Sequence, residues 1–567
     1  MRLLEWTKKL NVCGLPPFFS LAFFLQRSLF RTKSSFLFII FLIPVIPLLL
    51  IRNYAYYWDG VDYAWQVENA PFQYLFHPHH LVYTPFMKAL FLGFSSFGLN
   101  IRSLDFMIVL NILFGIVYLF LCYFLLKRIF INKQYLAPLG TLIIAITYTF
   151  GTYWRNVDAY IIPLAITTLI LYRIIQPDLR SLKVSLLDWF LLLLAVLFHQ
   201  ISILALPAVA FAQYYTYSKK RIIKTLLVIT GFSISLAIIY VFVFYSMSPH
   251  LTHKSFFKWV SEYAVRDYWI FNKINGLPQI IFQSFRESVL SHKMLFLASV
   301  RPWIFLCEDK IMYGRFSFFN YLSWMIFILI TFAIIFGAIK LFSNKYYRLL
   351  AVFLFIWTAP FIIIFQIFTP DSSFYRLFYL FPFVIFILTT ALHFIRTKLD
   401  WMGITLFITG LIVINYTFGF ITESFKAINP YLDYAKEVQE LTSPRDLFIF
   451  SPFPDYSTRI YLSYFTDRDV LMIRLLQSRE RASLDDEQLT TLCNESKKWL
   501  LSNYDNFYFS RGIVNYSNDF LRISTLDQNK NLPELLVLHK SQIVFTDITE
   551  IGTYPFNHAI LEDYPLR

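Results

Sequence analysis

Six acids and histidines share the stretch Tyr56–Phe86, YYWDGVDYAWQVENAPFQYLFHPHHLVYTPF: Asp59, Asp62, Glu68, His77, His79 and His80. Three of the chain's 10 histidines stand there side by side around Pro78. The other residues of the stretch are mostly apolar. A carboxylate held against apolar surface is a candidate general base or metal ligand, because burial and neighbouring charge move its proton affinity. The plain alternative is a solvated loop with aromatic anchors at a membrane interface. A further acid, Asp158, lies in GTYWRNVDAYIIPL (151–164), one helical turn after Arg155. Two readings stand for it. Arg155 and Asp158 form an interfacial ion pair, or Asp158 faces Asp59 across a cavity. His199, in LFHQISILALPAV, suits a helix–helix hydrogen bond or a place at the same cavity. Arg376, in DSSFYRLFYLFPF, either snorkels or holds an anionic headgroup. Acids of this kind would deprotonate an acceptor hydroxyl or hold a divalent ion, and cations would stabilise a departing phosphate.

The elements that must position these residues are apolar helices. Of the 567 residues 57% are hydrophobic and 15% charged, and mean hydropathy is +0.55. Soluble domains are about a quarter charged, so this composition excludes a soluble enzyme, a disordered chain and a fibre. About eleven apolar segments are long enough to approach the roughly 20 residues a bilayer core requires. They lie near 35–51, 104–126, 136–151, 158–175, 188–200, 201–217, 225–246, 318–341, 349–368, 375–396 and 401–421. The first is not a cleavable signal, since a long basic stretch precedes it and no small-residue cleavage site follows. The run 188–217 reads as a hairpin of two short helices turning near His199-Gln200, because basic loops flank it on both sides. Every second loop is basic, which puts the N-terminus in the cytoplasm. Outside then fall loops at 52–103 and 247–317, and the C-terminal tail. Both loops hold semi-apolar stretches, Thr84–Leu99 and Ile280–Leu297, that suit interfacial helices.

The net charge of +14 divides unevenly: residues 1–422 are basic and residues 423–567 carry more acids than bases. The expected class is a polytopic α-helical membrane protein (1–422) followed by a soluble α/β domain (423–567) outside the membrane. In that domain Asp446–Phe450 and Gln542–Phe545 read as strands, and Tyr456–Tyr464 and Asp485–Ser502 as helices. It contains no glycine-rich phosphate loop. The four cysteines form no CxxC pair, so neither a disulfide framework nor a zinc site is indicated. Basic residues are scattered over the cytoplasmic loops and form no single patch, which argues against a nucleic-acid partner.

The motifs resemble the GT-C superfamily of membrane glycosyltransferases, and within it the bacterial branch related to protein O-mannosyltransferases. The resemblance rests on Asp59-Gly60-Val61-Asp62, on His77-Pro78-His79-His80-Leu81, on Trp154…Asp158-Ala159-Tyr160 and on the run from His199 to Pro207. It covers about residues 35–220. It departs from the family in the aspartate at 158 where a glutamate is usual, with a shorter spacing there, and in the His-His insertion. The resemblance implies an inverting transfer, at the outer face of a cell inner membrane, from a polyprenyl-phosphate sugar to an acceptor hydroxyl. It implies Asp59, or else Asp62, as the base. Asp62, Glu68, Asp158 and His77 become supporting or metal-binding candidates. His79, His80, Arg155, Arg376 and His199 become candidates for the donor phosphate. Some members use a divalent cation such as Mg²⁺ or Mn²⁺. Three other classes remain on residues alone, one of them a non-catalytic membrane receptor whose tail does the binding and whose acids could be replaced without loss. A polymerase or ligase acting on diphosphate-linked oligosaccharides would depend on outside arginines and histidines rather than an acidic pair. A transporter would place ionisable groups at the bilayer midplane and repeat its halves, and few such groups and no halves are present.

Overall fold

The computed structural model describes residues 45–216, 220–247, 256–261, 285–286, 288–291, 309–368, 374–394, 397–424, 429–450, 456–466, 468–472, 502–503, 505–510 and 535–539. The elements that matter follow in chain order. They are α1 (Val45–Leu50), α2 (Trp58–Asn69), α3 (Tyr83–Ser96), α4 (Ser103–Ile129), α5 (Leu136–Ile146), α6 (Tyr148–Tyr153), α7 (Ile161–Ile174) and α8 (Leu186–Phe198). After them come α9 (Leu206–Thr216), α10 (Arg221–Phe242), α11 (Asp309–Ser343), α12 (Arg348–Ile367), α13 (Leu377–Phe394) and α14 (Lys398–Asn415). The last group is α15 (Pro430–Leu441), β1 (Asp446–Phe450), α16 (Tyr456–Phe465), β2 (Asp469–Met472), β3 (Asn506–Ser510) and β4 (Leu535–His539).

Five described helices are long and apolar enough to cross a membrane: Ser103–Ile129, Arg221–Ser246, Tyr321–Ser343, Arg348–Ile367 and Leu377–Phe394. This is fewer than the eleven segments expected. The segment 136–151 breaks at Thr147 into α5 and α6, and α7, α8 and α9 are 14, 13 and 11 residues long. At 1.5 Å per residue each reaches only roughly 16–21 Å, short of a core of about 30 Å. Most of the segment 35–51 lies outside the described residues. The chain is a multi-pass membrane protein with a mostly helical fold.

Helix α4 shows how sequence sets the two faces. Val109, Leu113, Val117, Phe120 and Phe124 recur at three- and four-residue steps and are exposed, as a lipid-facing stripe would be. On the opposite face Asn111, Gly115, Tyr118 and Cys122 are buried. Helices α11 and α13 pack so closely that a Cβ at Gly337 would collide with the carbonyl oxygen of Phe386. The Thr390 hydroxyl also donates to the Ala333 carbonyl at 2.6 Å. Small residues and hydroxyl bonds of this kind hold helices together where lipid gives no hydrophobic drive.

The run 188–217 is a hairpin. Helix α8 ends at Phe198, His199 is extended, and a 3₁₀ segment Gln200–Ala205 leads into α9. The far ends meet again: Trp189 Nε1 donates to Gln213 Oε1 at 2.9 Å and the Val184 amide to the Thr216 hydroxyl at 3.0 Å.

After α14 the chain makes a four-stranded mixed sheet of order β2-β1-β3-β4, with β1 parallel to both neighbours and β4 antiparallel to β3. The strand expected at Asp446–Phe450 is β1, and the expected helix at 456–464 is α16. The other expected strand, Gln542–Phe545, and nearly all of the expected helix Asp485–Ser502 lie outside the described residues, as does most of the loop 247–317. Helix α16 faces two ways. Leu462 packs with Ala435, Val438 and Phe448 beside the sheet. Ile460, Tyr461 and Tyr464 pack with Val61, Ala64, Met87 and Leu104 of the first loop and its flanking helices.

Candidate active site

Asp59 sits in the first turn of α2 and is half-buried. The next residue explains its position. A Cβ at Gly60 would collide with the carbonyl oxygen of Val157, so glycine lets the start of α2 press against the loop 154–160. That loop carries Asp158, which is buried. Its carboxyl is pushed well above the usual range, first by burial and then by the charge of Asp59, against a smaller opposing effect of the Ala159 amide. The charge of Asp59 thus reaches Asp158, across the close approach of Gly60 to Val157.

The inner face of α4 fixes the loop. The Asn111 amide donates to the carbonyls of Asn156 and Asp158 at 2.7 and 3.1 Å. One turn on, Gly115 makes room for Trp154, whose Cε3 would lie 2.6 Å from a Cβ placed there.

Arg155 does not pair with Asp158. Its Nη2 meets Glu423 Oε2 at 3.2 Å, with the two side chains 2% and 0% exposed. Its other donors go to the carbonyls of Gly151 (2.6 Å) and Ile51 (3.2 Å). Glu423 also accepts from Tyr148 and Thr152, each at 3.0 Å, and from Asn53 at 3.3 Å. The interfacial ion-pair reading thus gives way to a buried one with a distant partner. The same contacts remove Arg155 from the donor-phosphate candidates, since its guanidinium is already bonded on each side.

The histidines gather near Tyr63 of α2. His77, Pro78, His79 and His80 form a 3₁₀ turn in which His77 Nδ1 accepts the His79 amide at 3.3 Å. The rings of His77 and His80 stack at 4.5 Å. His80 lies 6.5 Å from His199, which lies 4.6 Å from Tyr160, which lies 5.6 Å from Tyr375. The Gln200 side chain bonds His79. Tyr63, four residues after Asp59 and so on the same face of α2, packs against His80 at 4.8 Å. Burial, then the neighbouring His79, pushes the His80 imidazole down to about 3, and burial, then His80 and His79, lowers His199 as well. Both rings are neutral near pH 7. They offer hydrogen bonds rather than the positive charge expected from sequence. Arg376 is buried directly after Tyr375 and bonds Tyr379, so the one expected cation near this cluster comes from the turn that opens α13.

The remaining expected residues have other partners. Asp62 accepts from Gln66 along its own helix at 2.9 Å. Glu68 accepts from Arg102 (3.0 Å), from the Ser103 amide at the start of α4 (2.7 Å) and from Tyr464 (3.3 Å). It therefore ties the first loop to α4 and α16, and is not turned toward Asp59. Glu68, Asp158 and His77 do not converge. Among the described residues no three His, Cys, Asp or Glu side chains are grouped to hold a metal ion. Sequence reading missed Glu423, Asn53, Asn111 and Tyr63, and named Tyr160 only as part of the motif that ends in it. For Glu423 a signal existed, since it is an acid immediately after an apolar span.

The architecture has a solved counterpart. ArnT from Cupriavidus metallidurans in its apo state superposes with a TM-score of 0.53 at 10% sequence identity, over 90% of this chain and 100% of that one. The chain shares the ArnT fold. The undecaprenyl-phosphate-bound form of ArnT (TM-score 0.47, 11% identity, 90% and 98% coverage) and the apo oligosaccharyltransferase of Archaeoglobus fulgidus (0.48, 10%, 84% and 69%) resemble the chain more loosely. No protein-family model and no curated protein matches the sequence. The ArnT likeness covers 90% of this chain and so reaches well beyond residues 35–220, where the motifs lie.

Proposed function

We propose that the chain is an inverting GT-C glycosyltransferase that moves a sugar from a polyprenyl-phosphate donor to an acceptor hydroxyl at the outer face of a cell inner membrane. The observation that carries this reading is the meeting of Asp59 and Asp158 beside a cluster of neutral histidines and tyrosines, in a fold shared with ArnT. ArnT from the same organism also binds undecaprenyl phosphate, in keeping with the proposed class of lipid. In this reading the sheet and its helices, residues 423–567, lie on the same outer side as the acids.

Burial and the charge of Asp59 both favour the neutral form of Asp158. Asp158 thus keeps its proton, and Asp59 is the half-exposed acid of the two. Asp59 takes the proton of the acceptor hydroxyl. The acceptor oxygen attacks the anomeric carbon from the face opposite the phosphate. The carbon–oxygen bond to the phosphate breaks, and its electron pair leaves on the phosphate oxygen. Neutral His80 and His199 and the phenol of Tyr160, which burial keeps protonated, donate to that oxygen, and Arg376 supplies charge. A divalent cation such as Mg²⁺ or Mn²⁺ would be held by Asp59 and Asp158 only with both carboxyls ionised, and would then supply positive charge to the donor phosphate.

The test is mass spectrometry of lipid co-purified with the wild-type protein, followed by turnover of that lipid. A polyprenyl monophosphate, bare or bearing one sugar, supports the reading. A diphosphate-linked oligosaccharide replaces it with the polymerase or ligase class.

A further inference from the structure

The stretch that delivers Asp59 to the site, residues 51–57, has no helix or strand of its own. Its backbone is laced instead from two sides. From the loop before Asp158, Arg155 bonds the Ile51 carbonyl at 3.2 Å and the Asn156 side chain bonds the Ala55 carbonyl at 2.8 Å. From the part of the chain after α14, the Tyr54 amide donates to the Glu423 carbonyl at 2.8 Å, and Asn429 bonds the Tyr54 carbonyl at 2.9 Å. Tyr461 bonds the Tyr56 carbonyl at 2.8 Å, and Asn429 also bonds the Tyr461 hydroxyl at 2.9 Å. Glu423 touches both sides of this lacing. Its carboxylate holds Asn53, six residues before Asp59, and Arg155, three residues before Asp158.

Such an arrangement goes beyond charge neutralisation. A buried arginine could be satisfied by one carboxylate oxygen. Here Glu423 also receives Tyr148 and Thr152 from α6, the helix that leads into the Asp158 loop. Asn53, Tyr148, Thr152 and Arg155, all bonded to the Glu423 carboxylate, lie on the two stretches of chain that lead to the acids. We propose that Glu423, acting through Asn53 and Arg155, is a positioning residue that sets Asp59 in register with Asp158. This makes the chain beyond the last apolar helix a working part of the site. The inference rests on the assignment of Asp59 and Asp158 in the proposed transfer.

The test uses the full-length protein in lipid nanodiscs and a panel of synthetic polyprenyl-phosphate hexoses, with release of polyprenyl phosphate as the readout. Folded protein is counted by polyprenyl phosphate binding. Glu423→Leu lowers kcat about a hundredfold, the cost typical of a displacement near 1 Å. Glu423→Gln recovers part of that loss, and the donor KM stays within about twofold in both. Should Glu423→Leu fail to fold, the double variant Arg155→Met/Glu423→Leu removes both buried charges. Asn53→Ala cuts one strut and leaves the pair in place. The inference is overturned if the folded variants turn over at the wild-type rate, or if Glu423→Gln recovers nothing and the donor KM rises in step with the fall in kcat. A wild-type rate in Asp59→Asn would instead overturn the assignment of the acids, whatever Glu423 does.

Discussion

Two buried charge pairs lie three residues apart in the loop 155–158, and they are built on opposite rules. Arg155 and Glu423 are unlike charges, each nearly inaccessible and each bonded to several further groups. Asp158 and Asp59 are like groups, two carboxyls, one buried and one half-exposed, and the charge of Asp59 raises the proton affinity of Asp158. The first pair gains by proximity, and its desolvation is offset by many hydrogen bonds. The second is unfavourable in isolation and persists only because its surroundings hold it. A loop that carries both can lend the rigidity of one to the strain of the other, as functional sites commonly require.

That contrast can be broken at each pair. The largest effect belongs to the two carboxyls. Asp59→Asn removes the proposed base and lowers turnover about a hundred- to ten-thousandfold with folding intact, as kcat on a polyprenyl-phosphate sugar and a melting curve together report. Next is the unlike pair. Arg155→Met leaves Glu423 buried without its cation and costs about 3–5 kcal/mol of stability, read from thermal or denaturant unfolding in detergent. Asp158→Asn then sharpens the difference. It removes a buried carboxyl next to another, so the melting temperature rises by a few degrees while turnover falls, a trade of stability against activity. An equal loss of stability in Asp158→Asn and Arg155→Met would erase the distinction between the pairs.

The smallest effect comes from the histidines. Folding lowers the proton affinity of His80 and His199 below the ordinary value near 6.5. The unfolded chain therefore binds protons that the folded chain refuses. Stability from this source is fully present above about pH 6.5 and is lost as pH falls toward about 3 for His80. Melting temperature should drop between pH 7 and 5, and His80→Gln should reduce that drop.

Much of the architecture was legible because apolar runs are local. The break at His199-Gln200 followed from basic loops on both flanks of 188–217, and α8 and α9 return on each other there. Strand β1 and helix α16 were visible in their own residues. Asp59 and Asp158 could be paired as one of two alternatives, since each is a lone acid in apolar surroundings. What decided between the alternatives was not local. The partner of Arg155 lies 268 positions away, and no spacing rule links them. The break at Thr147 was hidden by an unbroken apolar run on either side. The charge state of the histidines was equally hidden, because burial is a property of the packed site and not of the motif.

The lacing of residues 51–57 also sets a timetable. The groups that complete it stand 370 to 405 positions later in the chain. At roughly 5–20 residues per second, a ribosome needs on the order of 20–80 s to reach them. Throughout that interval the early helices can already be inserted, while the segment bearing Asp59 has no partners on its C-terminal side. The proposed site is therefore completed late in biosynthesis, and a chain terminated before Glu423 carries both acids without the later groups that hold their segments together.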